Sequence, residues 1–316
     1  MSKMKQVKKY FNVFKDAGAA FIDDNCIKLS AALSYYTIFS IGPLLVIVIS
    51  LSGLFFGQDA VRGRLFGQIE GLVGAEAAAQ IQDIIKNIQD TQTGTIGTIV
   101  GAIILVIGAT GIFTEIQDSI NFIWSLRAKP KRGLLKLLIN RLLSFSLIIS
   151  LGFLLLVSLV ISALMDLLND RLARVFPAPT VYIFYILNLL SVFVIISILF
   201  AIIFKVLPDG KIKWKDAFVG ASFTAILFLI GKAAIGFYIG RSSLGVTYGA
   251  AASIIIILTW VYYTSIILYF GAEFTKIFAL EYGGGIVPNN TAVFIIKQEA
   301  KEIDPLLKKV QTDIKT

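Results

Sequence analysis

The sequence predicts an all-α membrane protein: a bundle of six transmembrane helices with N-terminal and extracytoplasmic amphipathic helices. Three observations carry that prediction. The chain is 57% hydrophobic and only 16% charged, with a mean hydropathy of +0.82, far from the balance of a soluble domain. Six long stretches carry almost no charge, and each is long enough at about 1.5 Å per residue to cover a bilayer core of about 30 Å. The basic residues crowd into alternate connections, as a multi-pass topology requires.

Three parts follow in order: an amphipathic helix over residues 1–28, the transmembrane bundle over 29–282 and a tail over 283–316. In the first part Val7, Tyr10, Phe11, Phe14 and Phe21 fall on one helical stripe, with the lysines largely off it. That pattern predicts a helix lying on a membrane surface rich in anionic lipid. The uncharged run behind it is too long for the apolar core of a cleavable signal peptide.

The first span is Leu29–Gly57. Ser30, Ala31, Ser34 and Thr37 give it a small, weakly polar face suited to close helix approach, and Tyr35 and Tyr36 point to different faces. Pro43 predicts a kink. Residues 58–90 are too polar to span, and Ala77, Ile81, Ile84, Ile85 and Ile88 recur at helical spacing, predicting an amphipathic helix on the outer surface.

The second span covers the charge-free run Thr91–Thr114, after which Glu115 and Asp118 appear while the apolar periodicity continues. Thr110, Thr114, Gln117, Asp118 and Asn121 form one stripe with Glu115 and Ser119 at its margin. Acids near a membrane are costly unless they face protein, water or a partner, so this stripe is expected to look inward. Further spans are expected at Leu142–Met165, Val181–Phe204, Ala217–Ile239 (interrupted by Lys232) and Ser242–Ala272. Gly283, Gly284, Gly285 and Pro288 then break the chain, and the tail from Asn289 reads as a surface helix or a partly disordered segment.

Of the 29 Lys and Arg residues, 22 fall in residues 1–28, 125–141, 205–215 and 276–316, against 6 in the opposite connections. Both termini are therefore expected in the cytoplasm, and the net charge of +9 is a topology signal that requires no nucleic acid. His is absent, which removes the commonest metal ligand and general base, and Cys26 has no partner for an internal disulfide. No enzyme activity, metal or cofactor is expected. A metal-dependent nuclease needs converging carboxylates or His, whereas adjacent acids such as Asp23 and Asp24 diverge on a helix.

Four ordered segments, AALSYYTIFSIGPLL, GIFTEIQDSINFIW, VLPDGKIKWKDAFVGA and LYFGAEFTKIFA, resemble the YihY/BrkB family of bacterial inner-membrane proteins over roughly residues 10–282. The resemblance implies six transmembrane helices, cytoplasmic termini and a plasma-membrane location. It points to Tyr35, Pro43, Glu115, Asp118, Asn121 and Trp124, and further to Pro208, Asp209, Gly271, Ala272, Glu273 and Phe274. Family members have carried a ribonuclease label and have been linked to serum resistance and to compatible-solute movement.

The expected function is transport or export of small polar or zwitterionic solutes through an inward-facing polar cavity. The alternatives are lipid transport and an envelope scaffold that moves nothing. Ser34, Tyr35, Thr37 and Pro43 of the first span are cavity candidates, as are Thr114, Glu115, Asp118 and Asn121 behind the second. Tyr269 and Glu273 complete the set, with Glu115 and Glu273 as cation or proton sites and Lys232 and Asp209 as secondary candidates. For Glu273 an ordinary ion pair with Lys276, three residues on, competes with that role. Expected partners are the bilayer, anionic lipid at its cytoplasmic face and a small solute or lipid cargo.

Overall fold

A computed structural model describes residues 3–40, 111–129, 179–241, 252–290 and 292–297. Six helices follow one another through these residues. They are α1 (Lys3–Asp23), α2 (residues 26–40), α3 (residues 111–123), α4 (Pro179–Val206), α5 (Trp214–Arg241) and α6 (Ala252–Tyr282). Four short strands accompany them: β1 (Leu126–Ala128), β2 (Gly210–Lys211), β3 (Val287–Pro288) and β4 (Ala292–Phe294).

The six-span expectation is corrected here. Among the described residues, three helices are long and apolar enough to cross a membrane: Leu189–Val206, Trp214–Ile235 and Ile254–Tyr282. A charge-free run is not the same thing as a continuous helix of spanning length. Of the expected first span, residues 29–40 are described and continue the helix that starts at residue 26, and α3 carries Glu115 and Asp118 within residues 111–123. Pro43, the outer amphipathic helix over 58–90, nearly all of the second span and the whole third span lie outside the described residues.

The sixth helix runs ten residues past its expected end at Ala272. It begins at Ala252 and runs through Glu273, Lys276 and Glu281 to Tyr282. Charge does not end it because Glu273 finds its counter-ion one turn away on the same helix.

α5 and α6 approach each other through a reciprocal interlock. A Cβ on Gly220 would overlap the Thr275 side chain, and one on Gly271 would overlap Thr224. Each threonine hydroxyl donates back to a carbonyl on its own helix, Thr224 to Gly220 at 2.7 Å and Thr275 to Gly271 at 2.6 Å. Small residues thus let the backbones close while the hydroxyls stay satisfied, the usual device of helix packing in a membrane. On the other flank α4 packs against α5, with Phe200 edge-on to Phe228. Ala217, Ala221 and Ala225, spaced by four, are buried along α5.

α1 crosses the C-terminal half of α6. Its buried face is Val13, Ala17 and Phe21, packed with Phe274, Phe278 and Phe270. Tyr10, Phe11 and Phe14 of the expected apolar stripe are exposed, although Tyr10 still stacks on Phe278 and Phe14 meets Phe270 edge-on. The helix therefore buries the edge of Val13, Ala17 and Phe21, while Tyr10 and Phe14 flank it in ring contacts and stay partly exposed. It ends at Asp23, just before Asn25, whose φ of 52° places it in the left-handed region that closes helices.

The strands revise the picture of a purely helical chain with an irregular tail. β1 pairs antiparallel with β4 in the register Leu126 to Phe294, Arg127 to Val293 and Ala128 to Ala292. β2 pairs antiparallel with β3 across the breaker segment, Gly210 opposite Pro288. Strands of two or three residues have no alternation to read in a sequence. The glycine run serves this turn-back: Gly285, at φ +74°, closes α6 by donating to the Ala279 carbonyl at 2.8 Å.

Candidate functional site

The described charge and polarity converge where the end of α1, α3, α6 and the chain after β4 meet. Glu273 has no solvent exposure. Its Oε2 accepts from Lys276 Nζ at 3.0 Å, and its Oε1 lies 4.0 Å from the Cys26 thiol, which donates to it. Lys276 reaches on to Asp24 Oδ2 at 3.4 Å, and Lys297, from beyond β4, approaches the same oxygen to 2.5 Å. The Lys297 ammonium also sits 4.3 Å over the Phe122 ring. Two acids and two lysines from three parts of the chain thus form one closed network.

Asp24 and Cys26 lie outside the membrane-crossing segments, and their environments push them in opposite directions. Burial would raise the Asp24 carboxyl, but hydrogen bonds with Glu273 and Lys297 and the charges of Lys276 and Lys297 outweigh it, so Asp24 titrates below its ordinary value. Burial pushes the Cys26 thiol up, and the acidic neighbours Glu273 and Asp24 add to this, so it stays protonated.

A pH prediction follows from Asp24. Because its folded value is depressed below 3.8, its contribution to stability is complete above that ordinary value. It is lost as pH falls through the depressed folded value. Thermal unfolding of the purified protein should therefore show an acid limb that flattens in Asp24→Asn. An unchanged acid limb would count against the network.

A second polar group adjoins the first. Ser119, buried on α3, donates to Glu115 Oε1 at 3.4 Å. Tyr269 is completely buried on α6. Its hydroxyl is buried without a hydrogen-bond partner. Tyr269 stands four residues before Glu273, on the same helical face.

The expected candidates separate into distinct environments. Glu115 bonds to Ser119 on its own helix, and Tyr269 lies one turn before Glu273 on α6. Asn121 and Asp209 form a clasp: Asn121 Nδ2 donates to Asp209 Oδ2 at 3.0 Å, and the Asp209 amide returns a bond to Asn121 Oδ1 at 2.7 Å. With Asn289 N donating to the Asp209 carbonyl at 2.8 Å, that pair fastens the α4–α5 turn to α3 and to the tail. Ser34 and Thr37 donate to carbonyls of their own helix, Ala31 and Leu33, each at 2.8 Å. Tyr35 is exposed and packs on Tyr36 and Phe39. Thr114 and Asp118 lie on the exposed side of α3, whereas Phe113, Ile116, Ile120 and Ile123 of the opposite face are buried. Lys232 is half-buried on α5. Pro43 lies outside the described residues.

Asp24, Cys26 and Lys297 were not expected at the site. Lys297 is separated from Asp24 by 273 positions, and no local pattern connects them. Trp124 and Ala272, both marked by the resemblance, are joined directly, the indole Nε1 donating to the Ala272 carbonyl at 3.1 Å. Among the described residues no group of three or more His, Cys, Asp or Glu side chains is placed to hold a metal ion.

Comparison with known proteins adds the relatives. Residues 17–293 match the family model described as virulence factor BrkB. A UPF0761 membrane protein of Saccharophagus degradans is 27% identical over 273 residues, which cover 85% of this chain and 59% of that protein. One of Rhodospirillum centenum is 29% identical over 83% of this chain and 56% of its own length. One of Vibrio vulnificus is 31% identical over 77% of this chain and 74% of its own length. The chain thus spans little more than half the length of the first two relatives and about three-quarters of the third. No solved structure matches it.

Proposed function

Because the chain belongs to the BrkB family of multi-pass membrane proteins, we propose that it transports small polar or zwitterionic solutes, of the compatible-solute kind, across the inner membrane. The observation that carries this reading is Glu273, a carboxylate with no solvent exposure in a helix long and apolar enough to cross a bilayer. An acid there is costly and marks an ion or substrate path by default. Glu115, half-buried on α3, supplies a second acid from a different helix. The excess of Lys and Arg in alternate connections supports cytoplasmic termini. With that orientation the exposed Tyr10, Phe11 and Phe14 of α1, between lysines, rest on an anionic inner leaflet.

The test is untargeted. Cells with and without the gene are shifted abruptly to low osmolarity, and the released metabolites are profiled by mass spectrometry. The expected result is a small polar solute released only with the intact gene and lost with Glu115→Gln at equal expression. Identical profiles in all three strains would overturn the reading and leave a scaffold or a lipid carrier in its place.

A further inference from the structure

Resting on the transport reading above, we propose that the chain after β4 is an autoinhibitory strap. Its Lys297 occupies, as a tethered ammonium, a site at Asp24 and Phe122 that takes the cationic end of a zwitterionic solute. Lys297 Nζ has three partners there. It approaches Asp24 Oδ2 to 2.5 Å, donates to the Ile123 carbonyl at 3.4 Å and lies 4.3 Å over the Phe122 ring. A carboxylate, a carbonyl and an aromatic face around one nitrogen are the groups that recognise an ammonium head.

The chain beyond α6 is tied firmly at its start and lightly at its end. Gly284 N donates to the buried Asp216 carboxylate at 2.8 Å, β3 pairs with β2, and Asn289 N donates to the Asp209 carbonyl at 2.8 Å. Over residues 292–297 the ties are the short β1–β4 pair, Ile295 N on the Ser125 carbonyl at 2.8 Å, and Lys297 itself. Packing adds little. Ala292 is buried, but Val293 and Phe294 are exposed and Ile296 is 89% exposed. A segment held by a few hydrogen bonds and one charge, with almost no share in the core, belongs to the part of a protein that opens locally at low cost.

Lifting Lys297 changes the charge balance at one point. Glu273 keeps Lys276 at 3.0 Å, and Lys276 stands 3.4 Å from Asp24, the longer of the two lysine contacts that Asp24 makes. Asp24 therefore loses its nearer counter-ion and shares the vacated place with the Phe122 ring, which is already 39% exposed. One negative charge beside an open ring face suits one ammonium head. A primary ammonium can replace all three contacts of Lys297. A methylated one gives up the carbonyl and keeps the carboxylate and the ring. Repulsion from Asp24 turns the solute's own carboxylate to the far side. Solute and strap exclude each other, so a bound solute opens the strap and a closed strap holds the solute off. A tethered group competes at an effective concentration of about millimolar order, so a free solute displaces it only when abundant.

The experiment follows hydrogen exchange by mass spectrometry in the full chain, held in nanodiscs of phosphatidylethanolamine and phosphatidylglycerol. Glycine betaine is the zwitterionic probe, tetramethylammonium chloride supplies the cationic head alone, and sodium chloride at equal concentration controls for screening. The expected result is faster exchange over residues 292–297 with betaine and with tetramethylammonium, unchanged exchange in α3 and α6, and no such effect of sodium chloride. Lys297→Ala removes the tethered competitor and should tighten radiolabelled betaine binding in equilibrium dialysis by about tenfold or more. Adding Phe122→Leu should remove that gain. If Lys297→Ala does not fold, exchange in the unaltered protein still decides. Exchange unmoved by both cations, or moved equally by sodium chloride, would overturn the strap, as would equal betaine binding by the unaltered protein and a folded Lys297→Ala. Betaine flux in reconstituted vesicles without strap release would sink this site and leave the transporter standing. Strap release without betaine flux would keep the site and remove the compatible-solute reading.

Discussion

Lys276→Met should destabilise the protein by about 3–5 kcal/mol, as removal of one partner from a buried ion pair generally does. Glu273 is fully buried, and Lys276 Nζ, at 3.0 Å, is the cation within reach of its Oε2. Methionine keeps most of the lysine's apolar stem but leaves the carboxylate uncompensated, so it must either stay charged at high cost or take up a proton. Asp24 loses a neighbour at the same time, although Lys297 still holds it. The double variant Lys276→Met with Glu273→Gln leaves no unpaired charge at that position and should recover most of the loss. Thermal unfolding in detergent over the four-protein cycle measures this. Equal losses in the single and double variants would mean that Lys276 acts through packing alone.

Gly271→Ala should cost about 1–3 kcal/mol, the usual price of overpacking a tight contact. The added Cβ collides with Thr224, which cannot swing aside freely because its hydroxyl is bonded to the Gly220 carbonyl. Gly220 in turn faces Thr275, so separating the helices at one point loosens the second. Thr224→Ala removes the atoms nearest the new methyl group and should rescue Gly271→Ala. The same unfolding measurement decides it. A Gly271→Ala protein as stable as the unaltered one would show that α5 and α6 do not need this approach.

Much of the architecture was legible in the residues because it depends on local composition. A run such as Val181–Phe204 buries no charge and satisfies its own backbone as a helix, so α4 appears within two residues of its expected ends. The α5 span is recovered equally well despite Lys232. Even the Glu273–Lys276 pair could be read, since three residues on a helix bring side chains together. Family membership was legible too, because four ordered segments are specific where any one of them would be weak.

What the sequence determined by itself was the membrane class, the apolar helices and the identity of the unusual acids, all of which follow from composition and a 3.6-residue period. The tertiary structure decided which of those features act together. It limited the spanning helices among the described residues to three and carried α6 past its first charge. It also turned the face of α3 that bears Phe113 and Ile120 into the core and paired the tail with Leu126–Ala128. The network of Asp24, Cys26, Glu273, Lys276 and Lys297 belongs to this second group. Its members come from opposite ends of the chain, and proximity across 273 positions is a property of packing that no local period encodes.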